Sequence, residues 1–448
     1  MRKSLFLLAG LVVVVLLCPV SSFAGNGVTI KQSVLDTLKT TPRLEMLKYN
    51  REAVNYDLEK SRGGYYPKID ARAGIGTEMH SDRVTRLNDS DRSTHSRGEA
   101  SVVLTQLIFD AKETRSQVEI DKSRVESINH RVFDNAEALA LDAALAALEV
   151  YRQGRLLEIS EDNVSAHEKI LGSLKETQEA GAGSIADVTQ SRARLSRTMT
   201  TRITVKTDLQ NALSDFERLA GYRPDKIQFP AERPDVYLPK TLEDSLKAVL
   251  ENNPKLLTAE ADIQTAAHKV TLAESMYYPK VYGEAGWTYE DGVEGDPSYS
   301  RNLSAMVRMR WNLLNGGSDK AATSAAFARK LQAEMERKDL ERNISNDTRA
   351  TWNDYQAALE EEKALEETVR FNDETRSLYD DQFSVGQRSL LDLLDAQNEY
   401  FQSTGLLISA RVNRVANAYK LLALSAKLIE TLGIDAKVYN EPKVIEQK

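Results

Sequence analysis

The sequence predicts an α+β membrane protein made of two copies of one unit, in which a helix, a β-hairpin and two long helices follow one another. Its 11 prolines leave two long proline-free tracts, residues 68–223 and 298–441. Such tracts favour very long helices, because an interior proline removes a hydrogen bond and clashes with the preceding turn. A hydrophobic content of 41%, with 7% aromatic residues, indicates little thick core and argues against a compact α/β enzyme.

Residues 1–24 predict a secretory signal peptide. Arg2 and Lys3 precede an apolar run from Leu5 to Leu17, and cleavage is expected after Ala24. The alternative is an anchor helix, but the run is shorter than the ~20 residues that span a bilayer. Cys18 lacks the small preceding residue of a lipid-attachment signal, so the mature chain is expected to carry neither cysteine nor lipid.

The two copies are visible as matching strings. Tyr65-Tyr66-Pro67-Lys68 returns as Tyr277-Tyr278-Pro279-Lys280 at a shift of 212 residues. A second motif returns at a shift of 205 residues, as Gly181, Ser184, Asp187 and Gly386, Ser389, Asp392. We interpret the chain as a duplication, with repeat 1 at 25–221, a proline-rich linker at 222–240, repeat 2 at 241–434 and a tail at 435–448.

The sequence predicts the same order of helices and strands in each repeat. In repeat 1 we expect helices over about 31–64, 112–178 and 185–220, and strands over about 67–78 and 99–110. In repeat 2 the helices are expected over about 241–276, 317–380 and 390–431, and the strands over about 279–290 and 301–313. The strands are predicted from apolar residues that alternate with polar ones, which is typical of a half-buried strand.

Four such strands have the length and pattern of a transmembrane β-barrel but cannot close one. Three copies would supply twelve strands, so a homotrimer is the smallest closed assembly. At 1.5 Å per residue the outgoing helices reach on the order of 100 Å, several times the hydrocarbon core, and are expected to project into the periplasm. The return helices carry the apolar rhythm of a coiled-coil seam, as in Val205, Leu209, Ala212 and Phe216.

The turns between the long helices carry aspartates at capping positions. Ser184 and Ser389 each precede an apolar helical run, and Asp187 and Asp392 follow three residues later, the spacing of a capping box. Helix capping and the macrodipole therefore offer one explanation of both aspartates.

Asp395 is harder to explain as a cap. It lies one turn beyond Asp392, and its counterpart in the first repeat is the neutral Gln190. At i and i+3, Asp392 and Asp395 share a helix face, so a trimer would stack two rings of three carboxylates. Such rings would favour cations, repel anions and raise one another's pKa by like-charge repulsion.

The order of elements, the proline at each first-strand entry and the string Val385–Ala396 (VGQRSLLDLLDA) together resemble the TolC family of outer-membrane export channels. The resemblance covers about residues 28–435. It implies a homotrimer in outer-membrane lipid that shares one 12-stranded β-barrel, continued by a periplasmic α-helical coiled-coil barrel that is pinched shut at its far end. Its implied partners are a periplasmic adaptor and an inner-membrane transporter, whose docking opens the tip.

The resemblance also assigns individual residues. It places the constricting rings on Asp392 and Asp395, and it places on Arg388 the basic residue that ties neighbouring helix pairs, with Asp187 as partner. Phe383 stands where the family has a tyrosine hydroxyl and Ala186 where it has a threonine, so fewer hydrogen bonds are expected in the closed state. The turns that meet the adaptor would contain Gly181, Gly183, Ser184, Gly386, Gln387 and Ser389.

No catalytic residue, metal site or cofactor is predicted, since the five histidines show no ligand spacing and the sequence has no nucleotide-binding loop. A net charge of −8 without a basic patch argues against nucleic acid as a partner. We favour protein export by type I secretion with an ABC transporter, because the mature chain lacks a lipid-bearing cysteine. The alternatives are small-molecule or multidrug efflux with an RND transporter, and a soluble periplasmic coiled-coil adaptor or structural protein.

Overall fold

The computed structural model of the protein describes residues 27–87, 94–230, 233–295 and 298–440. The predicted signal peptide at 1–24 lies outside these ranges, as does the end of the predicted tail at 441–448. Among the described residues, no helix combines the length and the apolar character needed to cross a membrane.

The first half of the chain contains five α-helices and two strands among its described residues. In chain order these are α1 (Ile30–Thr40), α2 (Pro42–Arg62), β1 (Lys68–Glu78), α3 (Arg83–Leu87), β2 (His95–Phe109), α4 (Glu113–Glu179) and α5 (Ile185–Ala220). The predicted long helix and return helix are therefore confirmed as α4 and α5, and a single left-handed residue, Gly221 at φ +82°, ends the pair.

Among its described residues, the second half repeats this order without an α-helix that corresponds to α3 and with two short helices added at its end. Its described elements are α6 (Leu242–Asn252), α7 (Pro254–Glu274), β3 (Lys280–Asp291), β4 (Tyr299–Arg310), α8 (Ser318–Ser384), α9 (Leu390–Leu424), α10 (Leu428–Thr431) and α11 (Lys437–Asn440). Helices α4 and α8 both have 67 residues, and their first residues are 318 − 113 = 205 positions apart.

The helices predicted over 31–64 and 241–276 are each divided in two. Thr41 and Asn253 adopt extended backbone just before Pro42 and Pro254, and each proline begins the next helix. Proline disfavours the α region for the residue before it but fits the first turn of a helix, so it ends one helix and starts another.

The last helix is also shorter than predicted. Helix α9 ends at Leu424 rather than 431, because Ala426 at φ +56° redirects the chain before α10 begins.

The four strands form one antiparallel sheet in the order β1-β2-β3-β4. Strands β2 and β3 join the two predicted hairpins, with Val103 opposite Gly286 and Leu104 opposite Ala285. Large apolar side chains such as Ile75, Leu303 and Val307 are exposed on the sheet. A sheet with this much uncovered apolar surface needs another apolar surface or medium against it.

The largest hydrophobic core lies where α1, α10, α11 and the linker pack around the middle of α4 and the C-terminal ends of α5 and α9. Helix α4 contributes small side chains that are almost wholly buried, namely Ala136, Ala140, Ala143, Ala144 and Ala147. A parallel bridge between Val28 and Ile227 ties the linker to the start of the chain. Helices α1, α10 and α11 and the linker thus add a second layer of packing beside α4 at the level of this core.

Glu137 of α4 attaches the C-terminal segment to this core. Its carboxyl oxygens accept hydrogen bonds from the backbone N–H groups of Leu428 and Ile429, both at 3.2 Å. Burial raises the pKa of Glu137 to about 8, although the two N–H donors act to lower it. A raised pKa in the folded state means that its contribution to stability is present at acidic pH and is lost as the pH rises toward 8.

A buried arginine holds the linker against the long helices. Arg414 of α9, with a side chain 6% exposed, pairs with Asp235 of the linker and lies 2.7 Å from Glu362 of α8. Arg411, one turn earlier and 46% exposed, pairs with Glu366 at 2.7 Å and with Glu362 at 3.4 Å. The two arginines therefore share a carboxylate but differ in burial.

We expect Arg414→Leu to lower the free energy of unfolding by about 3–5 kcal/mol, because the mostly buried Asp235 and Glu362 would both lose this guanidinium. Arg411→Leu is the matched control and should cost at most about 1 kcal/mol, since Glu366 is half exposed and Glu362 keeps Arg414 as its ion-pair partner. Denaturant unfolding in detergent measures both. Equal losses in the two variants would contradict this difference.

Candidate functional site

The two turns that join the long helices have the same backbone geometry. Gly181 after α4 has φ +80° and Gly386 after α8 has φ +78°, the left-handed region that glycine adopts without steric cost. In each turn the next N–H returns to the carbonyl of the last helical turn, from Ala182 to Thr177 at 3.0 Å and from Gln387 to Gln382 at 2.9 Å. Both helices therefore end in a Schellman motif.

The two predicted serine caps are confirmed. Ser184 Oγ accepts a hydrogen bond from the Ala186 N–H at 3.2 Å, and Ser389 Oγ accepts one from the Asp392 N–H at 3.2 Å. Each cap satisfies a backbone donor that the first turn of a helix leaves free. The caps fix the start of α5 and α9, and with it the direction in which the following aspartates leave the turn.

Arg388 is held inside its own hairpin. Its Nε donates to Gln382 Oε1 at 3.1 Å, and its guanidinium lies 4.0 Å from the ring centroid of Tyr379. Its Nη1 is 3.7 Å from Asp392 Oδ2, an ion pair at i and i+4. Asp187 has no ion pair within the described part of the chain, so its pairing with Arg388 stays a prediction about neighbouring helix pairs.

Asp395 has an ion pair that sequence reasoning missed. Its Oδ1 lies 3.2 Å from Nη2 of Arg194 on α5, and this contact crosses from one long hairpin to the other. The two residues are 201 positions apart, so no local pattern connects them. Each predicted ring aspartate thus has one arginine counterion: Arg388 for Asp392 and Arg194 for Asp395.

Behind the turns, an apolar cluster joins the four long helices. It consists of Leu171, Leu174, Val188, Leu390 and Leu394, with Phe383 of α8 packed against it. Phe383 therefore contributes apolar contact at the position where the resemblance implies a hydroxyl. About one turn farther along α9 from Leu394, the buried Gln397 Nε2 donates to Asn163 Oδ1 at 3.1 Å and links α9 to α4.

Fixed charge and hydrogen bonding are the chemistry that these turns offer. Within residues 27–87, 94–230, 233–295 and 298–440, no group of three or more His, Cys, Asp or Glu side chains is placed to hold a metal ion. Asp392 and Asp395 are partly exposed and lie one turn apart on α9, near the turn that joins it to α8.

Comparison with known proteins relates both the sequence and the fold to membrane channels. The profile of the family described as "Outer membrane efflux protein" matches residues 35–222 and 246–427. The chain is 21% identical over 393 residues to the outer membrane efflux protein BepC of Brucella suis, covering 86% of each chain. It is also 21% identical over 411 residues to the outer membrane protein TolC of Escherichia coli, covering 87% of this chain and 80% of that protein.

A solved structure shows the same fold at lower sequence identity. The outer membrane channel CmeC of Campylobacter jejuni matches with a TM-score of 0.79 at 12% identity, covering 91% of this chain and 90% of that one.

The turn geometry predicts opposite effects for two glycine-to-alanine substitutions in one hairpin. A β-carbon at Gly183 would lie 2.8 Å from the backbone nitrogen of Gln178, whereas one at Gly172, inside α4, meets nothing within 4 Å. Gly183→Ala should destabilise the turn by about 1–3 kcal/mol through overpacking. Gly172→Ala should stabilise α4 by up to about 1 kcal/mol, because alanine is the better helix former.

Hydrogen–deuterium exchange of peptides that cover residues 170–190 measures both effects. We expect faster exchange at the turn in Gly183→Ala and slower exchange along α4 in Gly172→Ala. Unchanged protection of the turn in Gly183→Ala would contradict the close approach of the backbone at this position.

Proposed function

Because the chain belongs to the outer membrane efflux protein family, we propose that it is the outer-membrane exit duct of a tripartite export system. In this role it conducts substrate passively from an inner-membrane transporter and a periplasmic adaptor to the outside. The observation that carries the proposal is the combination of a sheet that has an exposed apolar surface with two helical hairpins, each of which contains one 67-residue helix. Helices of this length reach about 100 Å, enough to extend far beyond one membrane.

We infer that the working assembly is a homotrimer. One chain supplies four strands, so three copies would supply 3 × 4 = 12 and pair the outer strands β1 and β4 with one another. Pairing would satisfy the backbone groups of both outer strands, which lipid would leave without partners. The exposed apolar residues of the sheet would then face lipid, and the long hairpins of the three copies would line one periplasmic tunnel.

The tip of this tunnel would be its narrowest point, closed by charged side chains. Asp392 and Asp395 of three copies would form two rings of carboxylates, and Arg388 would tie neighbouring copies through Asp187. Support comes from their position in the turn region, where Ser389 and the Schellman turn hold the start of α9. The adaptor would contact the turns through Gly181, Gly183, Ser184, Gly386, Gln387 and Ser389.

The arginine counterions modify the charge of these rings. Arg194 lies beside Asp395 and Arg388 beside Asp392, so each carboxylate would act on a passing ion together with one guanidinium. Both ion pairs are solvent-exposed and therefore weak, which leaves the arginines free to exchange partners when the tip opens.

We favour polypeptides as the cargo, supplied by an ABC transporter, because the predicted mature chain carries no cysteine for a lipid anchor. Small-molecule efflux with an RND transporter is the alternative. A deletion strain separates the two: loss of a secreted protein supports type I secretion, and raised sensitivity to toxic compounds without such a loss supports efflux.

Cell fractionation tests the proposed location and assembly. We expect the protein in the outer-membrane fraction, extracted by detergent as a trimer with no other subunit required. A second class of function, a soluble periplasmic adaptor or structural protein, predicts a protein released with the soluble periplasm. That outcome would contradict the exit duct.

Single-channel recording in planar bilayers tests the aspartate rings. Asp392→Asn together with Asp395→Asn should weaken block by a trivalent cation at least about tenfold, because unit charges at about 4 Å interact by roughly 1 kcal/mol even in water. Arg194→Gln should strengthen the block, since it removes the counterion of Asp395. Glu176→Gln removes an exposed carboxylate of α4 near the turn that joins α4 to α5. It is the control and should leave the block unchanged. Block that is equal in all variants would rule out the assigned residues.

A further inference from the structure

A polar cavity of about 330 Å³ lies between α4, α5 and α9, on the side of the apolar cluster away from the turns. Its polar lining includes Asn163, His167, Arg194, Arg197, Asn398 and Gln402. We propose that this cavity binds a small oxyanion such as phosphate or sulfate. The proposal concerns the chain itself and does not depend on the exit-duct function.

The charge of the lining is positive. Two guanidinium groups, those of Arg194 and Arg197, line the cavity, and no carboxylate does. Arg194 pairs with Asp395, which lies outside the lining. Arg197 is solvent-exposed and has no ion pair in the part of the chain that the structure describes. Guanidinium groups present planar sets of N–H donors that match the oxygens of phosphate and sulfate. An anion in the cavity would balance the positive charge of Arg197.

His167 provides a second, independent observation. Its side chain is only 2% exposed, and its Nδ1 is buried without a hydrogen-bond partner among the described atoms. Buried polar atoms are nearly always hydrogen-bonded, so an orphan of this kind requires an explanation. Burial and the nearby Arg194 lower the pKa of His167, which favours the neutral ring with one N–H. In the tautomer that carries this hydrogen on Nδ1, the Nδ1–H would donate to an oxygen of the ligand.

The composition of the cavity selects against other ligands. Two guanidinium groups disfavour a cation, and only Leu394 and Phe401 give the lining apolar side chains, which disfavours an apolar ligand. The hydroxyls of Thr198 and Thr201 and the amides of Asn398 and Gln402 add donors that suit oxygen acceptors. The volume admits a tetrahedral oxyanion together with a few water molecules, since one water occupies about 30 Å³.

Occupation of the cavity would also alter the neighbouring aspartate. Arg194 would divide its donors between the bound anion and Asp395, 3.2 Å away, and would neutralise Asp395 less completely. The cavity and the tip of α9 are thus connected through one side chain.

Isothermal titration calorimetry on the purified full-length protein tests the proposal, with inorganic phosphate as the probe and chloride at equal ionic strength as the reference. We expect saturable binding of phosphate and none of chloride. Arg197→Gln should raise the dissociation constant at least tenfold. Arg202→Gln, on the same helix but outside the lining, should leave it unchanged.

A second variant keeps the test independent of the arginines. His167→Leu should also weaken phosphate binding, provided that circular dichroism shows an unchanged helix content. The absence of saturable phosphate binding, or equal weakening by Arg197→Gln and Arg202→Gln, would overturn the proposal. Either failure leaves localisation and trimer formation untouched, so it is distinguishable from a failure of the exit-duct function.

Discussion

The packing of each 67-residue helix along a shorter return helix is the constraint on which the rest of the structure depends. A helix that extends about 100 Å cannot fold back into a thick core, so it must be covered along its length by other helices. Helix α5 packs along α4 and α9 packs along α8, and contacts between α4 and α9 join the two hairpins. The result is a wall one helix layer thick, which agrees with a hydrophobic content of only 41%.

Such a wall buries side chains in a few places rather than throughout. At the middle of α4 a run of alanines allows the short helices and the linker to approach closely, and Arg414 and Glu137 fasten those segments by polar contacts. Near the turns between the long helices, the apolar cluster with Phe383 joins all four of these helices. Between these levels the helices separate enough to leave a polar cavity beside His167. The alternation of tight and open levels follows from the side chains that α4 and α9 present to each other.

The helices and strands that could be predicted are those determined by residues close together in the sequence. Period-two alternation predicted the strands, and the lack of proline predicted the long helices. The helix breaks at Pro42 and Pro254 could also have been predicted from the sequence, because Thr41 and Asn253 each precede a proline inside a predicted helix. The Arg388–Asp392 pair, at i and i+4, could have been found in the same way. The Arg194–Asp395 pair could not, since it forms only where two hairpins pack together.

The distance between copies at Asp395 tests most directly whether the tip of α9 lines a closed aperture. Cys18 is the single cysteine of the chain and lies in the predicted signal peptide, so Asp395→Cys gives one site for a spin label. In the detergent-extracted protein without partners, dipolar spectroscopy should show shorter distances between copies at position 395 than in Glu176→Cys. No coupling between copies at 395, or longer distances there than at 176, would contradict a closed aperture at this residue.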